Sequence, residues 1–344
     1  MWTRRQMIAA GGASAMATAA MTPSWADDAK KTLNDRLTGD ITGVHDPCLI
    51  QDNGVFNLFC TGHGKGRGQD RGLIQWRTSD DLVSWTLRAG VIDELPAWAH
   101  EAIPGADGIW APDISYFNDR FHLYYAVSTF GSNRSVIGLL TTPTLDATDP
   151  AFGWKDEGLV TQSTEKDNFN AIDPNHVVDG DGRHWLAFGS FWTGIKLIEL
   201  DAATGKPKAG GAEPLPIARR HSPGAIEAPF VIRRGDSYYL FAAYDFCCRG
   251  ADSSYYTCVG RSDAVTGPFS DHDGRKLLND GGTPVLHASL DKTGRFKGPG
   301  GASVFTLSEH QIIVYHAYDA QNKGVPTLRM QLLAWTPDGW PVAV

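Results

Sequence analysis

Three carboxylates stand beside prolines at widely separated points of the chain: Asp46 in HDP, Asp173 in AIDPN and Glu227 in IEAPF. A fourth, Asp113, follows its proline in WAPD. Carboxylates gathered in one cleft raise one another's pKa, and an apolar collar raises them further. Such an environment separates a protonated acid from an ionised base. Two groups of that kind with a sugar between them can break a glycosidic bond: one protonates the leaving oxygen, the other attacks or activates water. A single Asp-Pro more often caps a turn or pairs with an arginine. The chemistry therefore depends on the acids holding equivalent places in a repeat.

The repeat is present. Aligning on Pro47, Pro112, Pro174, Pro229 and Pro299 gives five similar segments at intervals of 65, 62, 55 and 70 residues. Each predicts a strand beginning at the proline, where the missing N–H breaks no ladder bond. Four to six mostly apolar residues, a polar turn and an aromatic-rich second strand complete a hairpin. The runs between hairpins, such as LIQWRTSDDLVSWTLR and IKLIELDAATGKP, alternate apolar with polar residues. They leave room for about four short strands per period, the signature of a β-propeller. The expected fold is all-β, a five-bladed β-propeller of residues 27–344 with about four antiparallel strands per blade. The tail TLRMQLLAWTPDGWPVAV reads as strand, turn, strand and can close the ring against the N-terminal strands. If the prolines mark the innermost strands, Asp46, Asp113, Asp173, Glu227 and His316 converge at one mouth of the channel. The aromatics Trp110, Phe130, Phe191 and Trp192 can stack on sugar faces there, although such residues are individually more often core.

The 344-residue chain is 42% hydrophobic and carries 36 aromatics, 38 Gly and 19 Pro, which favours short strands and tight turns. Residues 1–26 read as a signal peptide: Arg4 and Arg5, a small-residue apolar stretch, then Ser24-Trp25-Ala26 as a cleavage site. The paired arginine suggests twin-arginine export to the periplasm or beyond; the bland alternative is an amphipathic helix. Cleavage would remove two positive charges and no acid from a chain of formal charge −8. Nucleic acid is therefore not an expected partner, and no apolar run is long enough to span a membrane. The five cysteines contain no CxxC, which argues against zinc. Cys247 or Cys248 can pair with Cys258, or the adjacent pair can be packed thiols within a strand; one thiol at least stays free. The Gly-rich stretch Gly62–Gly72 lacks the context of a phosphate loop and reads as a surface loop.

These segments resemble the family 43 glycoside hydrolases, and among them the endo-1,5-α-L-arabinanases. The matching strings are HDPCLI, GIWAPDISYFNDRFHLYYAVSTFGSNRSVIGL, NAIDPNHV, LAFGSFWTGIKLIEL, AIEAPFV and DFCCRG. The resemblance implies Asp46 as general base, Glu227 as general acid and Asp173 as the residue that tunes and orients the acid. It implies inversion at the anomeric carbon, with base and acid roughly 6.5–9.5 Å apart to admit a water. It points to Trp110, Phe130, Asn170 and Ser190 as substrate-binding residues. His316 matches the channel histidine that helps to hold a metal, usually calcium, largely through waters; one imidazole alone is a poor calcium ligand. Asp113 is expected to be structural or a subsite residue. Gly301 stands where relatives often carry a bulkier residue such as histidine.

The sequence thus predicts an exported, monomeric endo-arabinanase acting on arabinan or arabino-oligosaccharides. An exo-acting α-L-arabinofuranosidase or β-xylosidase on the same fold is the enzymatic alternative. A non-catalytic carbohydrate-binding propeller is the other, although it has no use for Asp46, Asp173 and Glu227 together.

Overall fold

The computed structural model describes residues 32–63 and 72–344. The expected signal peptide and most of the Gly-rich loop lie outside the described residues. Antiparallel meanders follow one another along the chain. A short β1 (Thr38–Gly39) lies parallel to the last strand of the first meander, which comprises β2 (Cys48–Asp52), β3 (Val55–His63), β4 (Ile74–Ser79) and β5 (Ser84–Leu87). A single-turn helix, α1 (Ala97–Ala102), leads to β6 (Gly108–Phe117), β7 (Arg120–Val127), β8 (Ser135–Thr142) and β9 (Lys155–Ser163). The third meander has β10 (Asn175–Val178), β11 (His184–Phe188) and β12 (Ile195–Asp201), with β13 (Lys206–Pro207) and β14 (Leu215–Ala218) both paired to β12. Then come β15 (Ile226–Arg234), β16 (Ser237–Tyr244), β17 (Tyr256–Ser262) and β18 (Thr283–Leu286). The fifth holds β19 (Phe296–Leu307), β20 (His310–Asp319), β21 (Val325–Trp335) and β22 (Pro341–Ala343). Pairing of Gly62 with Ile109 and His63 with Gly108 joins the first two meanders into one sheet.

The first strands of the meanders pack side by side in chain order, β2 on β6, β6 on β10, β10 on β15 and β15 on β19, and β19 returns to β2. The apolar core is divided in the same way. One layer lies between each adjacent pair of meanders: Phe59 and Leu123, Leu139 and Leu186, Leu197 and Leu240, Phe241 and Ile313, and last Leu58 with Val314 and Met330 from the two chain ends. Each such side chain, when fully buried, contributes roughly 1.5–3 kcal/mol. The tail meets the N-terminal segment at its first strand: Leu328 N donates to Ile41 O at 2.8 Å and Thr42 bridges Thr327. Arg77, wholly buried, holds that junction from inside, donating to Asp40 O (2.6 Å), Thr42 O (3.2 Å) and Gln75 Oε1 (2.9 Å).

The prolines do more than begin strands. The residue before each one has a left-handed backbone: Asp46 (φ 52°), Ala111 (39°), Asp173 (57°), Ala228 (49°) and Gly298 (55°). Pro47 and Pro174 precede their strands, as expected. Pro112, Pro229 and Pro299 instead sit within β6, β15 and β19, where the register shifts between Trp110 and Asp113, Glu227 and Phe230, and Lys297 and Gly300. These are β-bulges, which tolerate proline because the extra residue leaves the ladder. A non-glycine residue in this region costs about 1–3 kcal/mol and persists where the surroundings impose it.

Candidate active site

Asp46, in the left-handed position just before β2, is held by three side chains from different parts of the chain. Thr61 Oγ1 of β3 donates to its Oδ2 at 2.9 Å and itself accepts from Ala111 N of β6. His45 Nδ1 donates to the same Oδ2 at 2.7 Å, while Oδ1 lies 3.8 Å from His316 Nδ1 of β20. The rings of His45 and His316 stack with centroids 3.7 Å apart. Burial alone would raise the pKa of Asp46, but the charge and hydrogen bond of His45, with His316 and Thr61, outweigh it and hold the group at about 2. Burial likewise works against charge on His45, and Asp46 and Glu227 overcome it and raise its pKa. This carboxylate is ionised at any pH where the protein would work.

Glu227 has the opposite surroundings. It lies on β15, one residue before the left-handed Ala228, and is almost fully buried. Its two oxygens accept from neutral hydroxyls, Oε1 from Tyr255 and Oε2 from Ser190, both at 2.7 Å. Burial pushes its pKa up; the two hydroxyls pull against this, and the negative charge of Asp46 adds to it. Asp173 accepts from Ala228 N at 3.0 Å, which ties it to the residue following the acid. Burial, then Glu227, then Asp46 drive its pKa well above that of a free aspartate. A carboxylate held ionised and a carboxyl pushed toward its protonated form therefore influence one another here, with a third carboxyl beside the second.

The remaining expected residues divide. Ser190 is buried and its hydroxyl is committed to Glu227. Asn170 is buried, its Oδ1 accepting from Ser135 Oγ at 2.6 Å. Trp110 is half-buried immediately before Ala111. Phe130, 84% exposed, projects from the loop between β7 and β8 with its ring free to meet a ligand. Phe191 and Trp192 occupy the loop after Ser190, where Phe191 N donates to Ile226 O at 2.8 Å beside Glu227. Asp113 does not join the cluster: its carboxylate accepts from His176 N (2.8 Å) and Asn175 Nδ2 (3.3 Å), and burial raises its pKa to about 7. It is a structural tie between the second and third meanders.

Neither the pairing of Cys247 or Cys248 with Cys258 that the sequence allowed nor a pair of packed thiols within a strand is found. Cys247 and Cys248 are joined to each other, in the bend after β16 rather than in a strand. Cys258 lies in β17 opposite Ala242, buried in the apolar layer out of reach; it is free, as are Cys48 and Cys60. Tyr255, Thr61, His45 and Tyr318 are site residues that the motifs did not single out.

His316 was the expected metal residue. It is fully buried, and burial with its neighbour His45 pushes its pKa well below the ordinary value, so the ring is neutral. Its Nδ1 accepts from Asp46 N at 3.2 Å, which leaves the proton on Nε2. That Nε2 is buried without a hydrogen-bond partner among the described residues. Such a donor suits a water oxygen rather than a bare ion. His45, Asp46 and His316 bring ligand atoms within 4.8 Å of one another, and the residues fit a cation that meets His316 through a water. Gly301, in a left-handed conformation at φ 56°, borders this point; a Cβ there would collide with Asp46 Oδ1 and come within 2.9 Å of the His316 ring.

Comparison with known proteins bears on what this cleft does. The family model described as glycosyl hydrolases family 43 matches residues 41–341. The chain belongs to that family. It is 41% identical over 299 residues to the extracellular endo-α-(1→5)-L-arabinanase 1 of Bacillus subtilis, covering 87% of each chain. It is 37% identical to the extracellular exo-α-(1→5)-L-arabinofuranosidase ArbA of Cellvibrio japonicus, covering 87% of this chain and 85% of that one. The solved structure of the family 43 endo-arabinanase from Bacillus licheniformis superposes with a TM-score of 0.79 at 40% identity, covering 89% of this chain and 99% of that chain. The protein is a glycosidase, and its relatives include both endo- and exo-acting enzymes.

Proposed function

We propose that this family 43 protein is an exported endo-1,5-α-L-arabinanase that hydrolyses arabinan with inversion. The observation that carries the reading is the opposite tuning of two carboxyls in one cleft: Asp46 held at about 2 by imidazoles, Glu227 raised by burial among neutral hydroxyls. Asp46 removes a proton from water as that water attacks the anomeric carbon. Glu227 delivers its proton to the departing glycosidic oxygen. Asp173, itself pushed well above a free aspartate by burial and by the charge of Glu227, is the partner that tunes the acid and, through Ala228, fixes where it points. Phe130, Trp110, Phe191 and Trp192 would receive arabinose rings along an open groove. The five meanders are read as the blades of a five-bladed propeller. The return of β19 to β2 and the five apolar layers support this. A calcium ion, where bound, would supply fixed positive charge near Asp46, held through waters by His316. Relatives named extracellular support export, and the protein is expected to act as a monomer.

The deciding experiment is a time course on linear, debranched arabinan, followed by chromatography of the products and NMR of the first anomer released, with and without a chelator. Mixed oligosaccharides of the inverted anomer are expected from the start, slower when metal is stripped. Arabinose alone at the first time point would give the exo reading instead. Asp46→Ala and Glu227→Ala should each lose about 10²–10⁴-fold in turnover with circular dichroism unchanged; substantial residual hydrolysis in either would break the assignment.

A further inference from the structure

The loop from Asp245 to Tyr255, between β16 and β17, touches both halves of the site. At its far end Tyr255 donates to Glu227. At its near end the chain turns sharply through the joined Cys247 and Cys248, with Cys248 in a left-handed conformation at φ 64°. Cys248 N donates to Tyr318 Oη at 2.8 Å, and Tyr318 Oη meets His45 Nε2 at 2.8 Å. The other nitrogen of that imidazole holds Asp46. Cys248 Sγ itself lies 3.8 Å from His45 Nε2. The base is therefore connected, through three consecutive hydrogen bonds, to the backbone of one covalently closed turn.

A disulfide between neighbouring residues closes a small ring that includes the peptide bond between them, so it constrains backbone rather than bridging elements. A cysteine without that ring would hold the left-handed region, which L-residues avoid, with one constraint fewer. We propose that the Cys247–Cys248 disulfide is a positioning element of the reaction: it fixes the turn whose N–H orients Tyr318, hence His45 and the attacking geometry of Asp46. The inference rests on the assignment of Asp46 as base. It is not a staple of the fold, because the loop is also anchored by Arg249 N on Ser253 Oγ (3.0 Å) and Ser254 N on Phe246 O (3.1 Å). Opening the ring should loosen the alignment of Asp46 without unfolding the sheet.

Cys248 is exposed and Cys247 half-buried, so the bond is reachable in the native enzyme. The test is reduction with dithiothreitol under native conditions. Two electrons and two protons pass to the cysteine pair as the reagent closes to its own cyclic disulfide. Opening is verified by a rise from three to five titratable thiols after denaturation. On linear arabinan, kcat should fall about tenfold or more, as misplaced catalytic groups do, with KM within about twofold. Reoxidation should restore it. The Cys247→Ser/Cys248→Ser double variant should match the reduced enzyme and no longer respond to reductant. An unchanged kcat after verified opening overturns the inference, as does a rise in KM at constant kcat, which would make the ring a wall of the groove instead. An oxidised enzyme that fails to hydrolyse arabinan at all would refute the functional reading, so the two failures are distinct. Should the double variant not fold, the reduction and reoxidation of the native chain still decide.

Discussion

Removing the Tyr255 hydroxyl tests the acid directly. In Tyr255→Phe the ring stays in its seat beside Gly300, where a side chain would have met it, and only the 2.7 Å bond to Glu227 Oε1 is lost. A hydrogen bond to a charged acceptor contributes about 1.5–3 kcal/mol, and hydroxyl-to-carboxylate bonds of this length are among the stronger ones. The bond favours the ionised form, so its loss makes Glu227 hold its proton more tightly. At about 1.4 kcal/mol per tenfold, the proton affinity should rise about tenfold or more. In the proposed mechanism Glu227 acts protonated and Asp46 ionised, so Glu227 sets the basic limb of kcat/KM and Asp46 the acidic limb. The basic limb should therefore move to higher pH while the acidic limb stays. The plateau rate should fall a few-fold, because a weaker acid donates less readily. Initial rates of reducing-end release across the pH range provide the assay. Ser190→Ala, which removes the donor to Oε2, should shift the same limb the same way. A basic limb that stays put in both variants, or moves toward acid, would refute the assignment of Glu227 as proton donor.

Two further outcomes concern the scaffold. Arg77→Met should cost about 2–6 kcal/mol in urea unfolding, since the partly buried carbonyls of Asp40 and Thr42 each lose a charged donor, a loss of roughly 1–3 kcal/mol apiece; an unchanged midpoint would show that the junction holds without it. His176, stacked on Phe117 and bonded to His184, is pushed down to about 3, first by burial and then by its histidine neighbours. The unfolded chain binds protons there below its ordinary value of 6.5 while the folded one refuses them until about 3. Stability should thus be full above pH 6.5 and fall on acidification toward 3, and His176→Gln should flatten that fall in pH-dependent urea titrations.

Asp46 and Asp173 drew notice because proline marks one place in a repeat, and the first strands that carry that place pack side by side; Glu227 lies one residue before it and comes with them. Asp113 stands on the other side of its proline and goes elsewhere for a simple reason. Ala111, not Asp113, holds the left-handed position of its meander; Asp113 comes after the bulge, where its carboxylate meets His176 N and Asn175 Nδ2 of the third meander. The partners of the acid were not legible. Tyr255 stands in an aromatic run, SSYYT, with the same pattern as any buried strand. Ser190 was expected to touch sugar, and nothing in GSFW says that its hydroxyl turns to a carboxylate instead. The cysteine pair was read as packed thiols within a strand; the chain has already left β16 at Tyr244.

The repeat supplies geometry and leaves the chemistry to residue type. All five meanders place a left-handed residue before their proline, yet only two of those residues are acids; Ala111, Ala228 and Gly298 fill the same place without charge. In the fourth meander the acid sits one residue earlier and is a glutamate. The left-handed Ala228 is then free to present its N–H to Asp173. The two carboxyls of the proposed reaction thus come from non-equivalent places, and this is what lets their surroundings diverge. Asp46 meets ring nitrogens of the first and fifth meanders, which favour its charge. Glu227 meets only neutral hydroxyls of the third and fourth in a buried setting, which cannot fully offset the cost of its charge. Had both acids occupied the left-handed place with the same neighbours, only their mutual repulsion would have separated their titrations, and nothing would have fixed which serves as acid and which as base.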